Sequence, residues 1–327
     1  MSYKTYILGR WCGVKLIELY NYFIEKGIAL DPRGKTAVEK ALSKKNEDYK
    51  TLKDDEKKDF DLEALKNPYA DTRILNGDEK LDVRRVLVGI DIEVGEIMLA
   101  DRLREKGEAV DIVISHHPEG RAYANFYEVM HMQADILNKF GVPINVAEDI
   151  LSDRIKEVQR RVMPINHTRA VDAARLLNIP FMCVHTPADN AVTAYLQQIF
   201  DNKKPDTLKD ILEVLKEIAE YQDAAKNNAG PNIMIGSKER RAGKIFVDMT
   251  GGTGGSKDAF ERLSQAGVGT IVAMHISEDH RKEAEKHHIN IVIAGHIASD
   301  NLGMNLLLDG LTSIDAAGCS GFRRIKR

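Results

Sequence analysis

Residues 86–118 read VLVGIDIEVGEIMLADRLREKGEAVDIVISHHP, and the reading of this stretch decides the fold class. Val86–Ile90 and Ile112–Ile114 are short apolar runs of the kind that form strands buried on both faces. Between them, Val94–Lys106 has helical spacing and stops at Gly107, a residue suited to a helix C-terminus. Strand, helix and strand in so short a span predict a βαβ unit and a mostly parallel sheet. The second run leads straight into Ser115-His116-His117-Pro118, so the unit delivers two imidazoles where its strand stops.

The alternation continues on both sides. Downstream, Tyr123–Phe140 predicts a helix, Val142–Val146 a strand, and helical patterns return after Asp149. Ile179–Val184 predicts a further strand running into His185-Thr186-Pro187-Ala188-Asp189-Asn190, after which Ala191–Gln222 is largely helical. Asn227-Asn228-Ala229-Gly230-Pro231 has boundary composition. A second series then gives strands over Lys244–Val247, Thr270–Met274 and Ile289–Ala294. Helices over Asp258–Ala266 and Glu278–His287 separate them, and the last strand ends at Gly295-His296.

Upstream, a helix over Lys15–Lys26 puts Leu16, Leu19, Tyr20 and Phe23 on one face, while Ser43–Lys66 alternates lysines with acids. No chemistry is evident before residue 80, and this region is expected to cover the main domain or join an oligomer interface. The expected architecture is α/β: a helical N-terminal extension (1–80), a first α/β lobe (81–228) and a second (229–327). Both lobes have mostly parallel sheets.

Bulk composition narrows the function. The chain has 327 residues, 43% hydrophobic and 30% charged, enough for two modest domains. A formal net charge of −3 offers no broad positive field and argues against nucleic-acid binding. The basic end, Arg323 to Arg327, is expected to be a solvated tail. The three cysteines, Cys12, Cys183 and Cys319, are scattered, which disfavours a disulfide scaffold and a thiolate zinc site. Arg10, Lys15 and Glu18 interrupt any signal-peptide core, and no apolar run nears the ~18 residues of a membrane span. A cytoplasmic protein is expected.

Ligands of open α/β sheets gather beyond the carboxyl ends of the strands. Three clusters with metal-ligating groups fall at such ends: His116-His117, His185 with Asp189, and His296 with Asp300. Adjacent histidines point apart, so His116 and His117 suit two neighbouring metals, or one metal and an orienting role. The plain alternative is a polar strand end. His296 and Asp300 share a face if a helix starts there, although Ser299 or Asp300 equally suits an N-cap before a Leu302–Leu308 helix. Asp189 likewise is either an oxygen ligand or a cap. Mixed imidazole and oxygen donors suit Zn, Fe, Mn or Co rather than calcium. Asp91 ends the strand beside the one leading to His116, and Glu148 is a weaker candidate of the same kind.

Thr250-Gly251-Gly252-Thr253-Gly254-Gly255-Ser256-Lys257 forms a turn after a strand, either an anion contact or a structural turn. It lacks a P-loop ending and the dinucleotide glycine spacing. His275, His280, His287 and His288 cluster nearby, and His280 with His287 forms a helical stripe expected to be exposed.

In order, a strand ending in His-His-Pro, a His-Thr-x-x-Asp element, a Gly-rich turn and a late Gly-His-x-x-Ser-acid resemble the Nif-three-like family. Its YbgI-type dinuclear metal centre proteins are often described as type 2 GTP cyclohydrolase I. The resemblance spans roughly Val83 to the C-terminus. It implies two α/β lobes with a metal site in the cleft, assembled as a toroidal homo-hexamer. It implies His116, His117, Asp189 and His296 as ligands of one or two divalent ions, and Asp300 where the family usually has a bridging glutamate. Asp300 is one methylene shorter, and Pro187-Ala188 replaces the usual Asn-Leu. The function expected is a metal-dependent hydrolase of a small, nucleotide-like or phosphorylated substrate, with His185 and Asp91 moving the proton. The alternative is a non-catalytic metal-binding, metal-trafficking or regulatory protein.

Overall fold

A computed structural model describes residues 13–327, so Arg10 and Cys12 lie outside the described residues. The strand–helix–strand reading of 86–118 is realised as β4 (Arg85–Gly89), a helix Val94–Glu105 and β5 (Ile112–Ser115). With β6 (Phe181–Cys183), β2 (Arg73–Asn76) and β11 (Asp315–Cys319) they form a five-stranded sheet in the order β11-β4-β5-β6-β2. All neighbours are parallel except the edge strand β2. Alternate residues enter different cores, which is why the strands read as unbroken apolar runs. Val86, Val88, Ile112, Ile114 and Met182 face one core, and Leu87, Val113 and Phe181 the other.

The helix Leu16–Ala29 closes the first of these cores with Leu16, Leu19, Tyr20 and Phe23. The expected covering role of the N-terminal region is therefore observed. Its partner on the opposite face is the pair of helices Val94–Glu105 and Arg169–Leu176.

A second sheet orders as β7-β10-β9-β8, from β7 (Asn232–Ile235), β8 (Lys244–Asp248), β9 (Val268–Ala273) and β10 (Asn290–Ile293). Only β7 is antiparallel, and it too lies at an edge. Two helices, Thr186–Lys203 and His296–Leu308, link the sheets: Ala188, Ala191, Met304 and Leu307 belong to the first sheet's core, Val192, Leu196 and Leu302 to the second's. They approach closely because Gly303 has no side chain; a Cβ there would stand 2.4 Å from the Ala188 carbonyl oxygen.

Several expectations change. Val142–Val146 is not a strand: a helix, Ile144–Val162, begins directly after Pro143. Ala147, Leu151, Ile155, Val158 and Val162 supply a helical stripe that a short apolar run could not reveal. Glu148 falls on the exposed side of that helix, away from any strand end. The helix expected over Tyr123–Phe140 is broken into Gly120–Ala124, a 3-10 turn Phe126–His131 and Met132–Phe140. Boundaries at 81 and 229 cut through the first sheet, since β2 precedes one and β11 follows the other.

The basic end is not a free tail. Arg327 pairs with Glu220, which is only 3% exposed, and Arg324 lies 2.7 Å from Asp309. Asn305 receives the returning chain, donating to the Arg323 carbonyl at 3.0 Å. A buried carboxylate needs a cation, and this one takes it from the end of the sequence.

Arg73, 1% exposed, secures the segment that leads into β2. Its guanidinium donates to the Tyr69 and Thr72 carbonyls at 2.6 and 2.7 Å and to Asp61 at 2.6 Å. Arg73→Ala strands these acceptors and is expected to cost about 3 kcal/mol in urea unfolding. A loss below about 1 kcal/mol would show that water replaces the arginine.

Candidate metal centre

The carboxyl ends of the parallel strands deliver all the metal-ligand candidates to one place. His116 and His117 follow β5, His185 follows β6, and Asp189 sits in the first turn of Thr186–Lys203. The helix after β10 starts at His296 itself, not near Leu302, so His296 and Asp300, four residues apart, lie one turn from each other on one face. The donor atoms of three groups lie within 4.8 Å of one another: His116, His117 and His185; His117, His296 and Asp300; His116, Asp189 and Asp300.

The histidines are aimed from behind. His116 donates Nδ1–H to the Val184 carbonyl at 3.1 Å, His117 to Asp91 at 2.7 Å, and His185 to Asp71 at 2.8 Å. An acceptor at Nδ1 leaves each Nε2 with a free lone pair directed at the centre. His116 Nε2 is 3.4 Å from Asp189 Oδ1 and 3.4 Å from Asp300 Oδ1. Asp300 Oδ2 is 3.5 Å from both His117 Nε2 and His296 Nε2. His185 Nε2 stands 3.7 Å from Asp189 Oδ2.

These separations test the fit to a metal. A charged N–H···O bond is about 2.7–2.9 Å long, so 3.4–3.5 Å is too long for one. The edge of a tetrahedral shell with bonds of about 2.1 Å is about 3.4 Å. His116 Nε2, Asp189 Oδ1 and both Asp300 oxygens are buried and have no hydrogen-bond partner among the described residues. Buried polar atoms left this way are costly unless something else binds them. Converging imidazoles and carboxylates fit a divalent cation.

The electrostatics agree. Burial pushes the Asp189 carboxyl well above the usual range; His116 opposes it, and Asp300 and Asp71 add to it. Burial acts the same way on Asp300, but His116, His117 and His296 hold it well below the usual range. Burial pulls His117 down, yet Asp300 and Asp91 on its two nitrogens push it up to about 10.

Some residues of the site were not found by sequence reasoning. Asp71, fully buried, belongs to the region that showed no chemistry. Besides His185 it accepts from the Thr186 hydroxyl at 2.6 Å. Nothing in the local pattern marks it; only the antiparallel pairing of β2 with β6 brings it behind His185. Asp71→Ala is expected to weaken metal binding by about 10–100-fold, and Asp71→Asn, which keeps an acceptor, by much less. Competition against a chromophoric chelator measures both, and equal losses would show that Asp71 acts through charge alone. His275 also joins the site, its ring centroid 4.9 Å from that of His296. Its signal was its place just past a strand, the same position His296 occupies. His280 instead donates to the Gly255 carbonyl at 2.9 Å.

The Gly-rich turn is tied down by its carbonyls. Gln133 donates to those of Gly251 and Thr253, each at 2.7 Å, and Arg154 to that of Gly254 at 3.1 Å. Gly251 has φ +94° and a Cβ there would meet Gln133 at 2.7 Å, so this position requires glycine. Thr250 donates to Asn190 at 2.6 Å, which fixes the turn beside Asp189. Burial and the Glu93 carboxylate push the Glu119 carboxyl up to about 7; Arg169 opposes them and Asp91 adds to them.

No protein-family model and no curated protein matches the sequence. Among solved structures, the chain is similar to a NIF3 superfamily protein from Sphaerobacter thermophilus. Identity is 24%, covering 95% of this chain and 100% of that one, with a TM-score of 0.75. HcgD from Methanocaldococcus jannaschii matches at 14% identity over 75% and 87% of the two chains, TM-score 0.45. The Staphylococcus aureus protein SA1388 matches at 15% over 78% and 92%, TM-score 0.39. Coverage of 95% of 327 residues leaves only about 16 unmatched, so most of the N-terminal region has a counterpart in the first of these. Over 95% of its length the chain has the fold of the NIF3 superfamily protein from Sphaerobacter thermophilus.

Proposed function

We propose that this protein is a Nif-three-like dinuclear metal protein and a metal-dependent hydrolase of a small substrate. One observation carries the dinuclear part: the two unpartnered oxygens of Asp300 face different histidines. Oδ1, with His116, Asp189 and His185, frames an inner position; Oδ2, with His117 and His296, frames an outer one. This division of its oxygens supports a bridging role for the shorter aspartate.

Two divalent ions held there would acidify a shared water and polarise the group under attack. The chain's own groups do the rest. In place of the proton-moving role expected for His185 and Asp91, we assign His185 to the inner position and Asp91 to aiming His117. His275 borders the outer position without a hydrogen-bond partner among the described residues and is the imidazole available to hold a proton. The amides of Gly251, Gly252, Gly254 and Gly255 donate to nothing else among the described residues, which suits an anionic substrate group.

Metal titration of chelator-treated protein, followed by elemental analysis, is expected to give two ions per chain. His296→Ala should retain one, in the inner position. A wild-type limit of one ion would overturn the dinuclear reading. A screen of nucleotides, phosphoesters and cyclic amides with Zn, Mn, Fe and Co tests the hydrolase part, and turnover that survives loss of Asp300 would count against it. Assembly as a homo-oligomer belongs to the same proposal. Met98, Leu99 and Leu176, all exposed, lie on two helices packed together and suit such an interface. No helix among the described residues is long and apolar enough to cross a membrane.

A further inference from the structure

We infer that Asp91, Glu93 and Glu119 form the entry path by which a hydrated divalent cation reaches the centre, an inference that rests on the dinuclear reading. The candidate ligands differ sharply in access. His116, Asp300, Asp189 and His185 are 0%, 1%, 4% and 7% exposed. The side chains of His117 and His296 are 26% and 41% exposed. An ion bound for the inner position therefore passes the outer pair.

The acids stand on that open side. β4 and β5 are parallel neighbours with Gly89 opposite Ser115. Continued past the strand ends, this register sets Asp91 beside His117 and Glu93 beside Glu119. Asp91 is bonded to His117 and its side chain is 60% exposed. It feels the charge of Asp300 and His296 below it, while Glu119 feels both Glu93 and Asp91. Arg169 and His117 are the cations that act on Glu119, against the carboxylates of Asp91 and Glu93. A row of carboxylates alone marks no site. Here it leads to buried oxygens of Asp189 and Asp300 that have no hydrogen-bond partner among the described residues.

Exposed carboxylates attract a hydrated ion without stripping its water, and the ligands below replace that water in turn. A single carboxylate about 8 Å from the path of a divalent ion, in water of low ionic strength, speeds encounter about threefold. Two acting together give about tenfold. The effect belongs to the association rate, since neither Glu93 nor Glu119 is among the converging ligand groups.

The test is rapid mixing of metal-free full-length protein with Co²⁺, followed by its visible absorption. At about pH 8.5, where both carboxyls are ionised, and about 10 mM salt, the Glu93→Gln, Glu119→Gln double variant is expected to load about tenfold more slowly than wild type and to reach the same stoichiometry. Arg169→Gln should load faster, and at about 1 M salt the three rates should converge. Equal rates at low salt, with two ions still bound, overturn the entry path and leave the dinuclear reading standing. A double variant that loses an ion also overturns it, because the acids would then be ligands. Wild type that takes up no cobalt overturns both.

Discussion

Asp300→Ala is expected to empty both metal positions at once. Each oxygen of Asp300 stands 3.4–3.5 Å from a different set of imidazole nitrogens, so one substitution removes a ligand from the inner and the outer ion together. Losing a shared carboxylate should weaken binding by well over the 10–100-fold typical of an orienting residue. Melting curves provide a second readout. An ion present at about 1,000 times its Kd stabilises the folded state by about 4 kcal/mol. Wild type should show that increment with metal, and Asp300→Ala should not. Asp300→Glu should retain metal, because a carboxylate still reaches between the histidines. An alanine variant that keeps two ions would remove Asp300 from the centre altogether.

Gly303→Ala should damage fold and site together. Its Cβ would stand 2.4 Å from the Ala188 oxygen and 2.9 Å from the Ala188 carbonyl carbon, both backbone atoms that cannot rotate away. The helices Thr186–Lys203 and His296–Leu308 must then separate by close to an ångström. Overpacking of this kind costs about 1–3 kcal/mol, and a backbone clash places this case at the upper end. A fall in the thermal midpoint of roughly 5–10 °C follows. The same helices carry Asp189 in the first turn of one and Asp300 one turn after His296 in the other, and metal sites tolerate only about 0.2 Å of misplacement. Metal affinity should therefore fall further than stability does. An unchanged midpoint together with unchanged affinity would show that the helices are not so closely packed.

The parts of this protein readable from sequence are those with local causes. Apolar runs at 86–90 and 112–114 became strands because both faces of each are buried, and Leu16 to Phe23 became a covering helix because its spacing allows nothing else. Edge strands were harder. β11 is Asp-Ala-Ala-Gly-Cys, with little side chain to signal a strand, and it forms by backbone pairing to β4. Val142–Val146 misled because a short apolar run fits a strand and the first turn of a buried helix equally well, and Pro143 settles which.

By itself the sequence determined which strand ends carry ligand-type side chains: His116-His117, His185 with Asp189, and His296 with Asp300. Each position follows from where an apolar run stops. Only the tertiary structure decided how those groups divide. It turned the two oxygens of Asp300 toward different histidines, and it brought Asp71 from a region without evident chemistry to hold His185 at 2.8 Å. It also anchored Arg327 on a buried Glu220, where a basic tail was expected to be solvated. The reason is the same in each case. Strand and helix periodicity is set by neighbours in the chain, whereas the partner of a buried charge is set by which distant segments the sheets bring together.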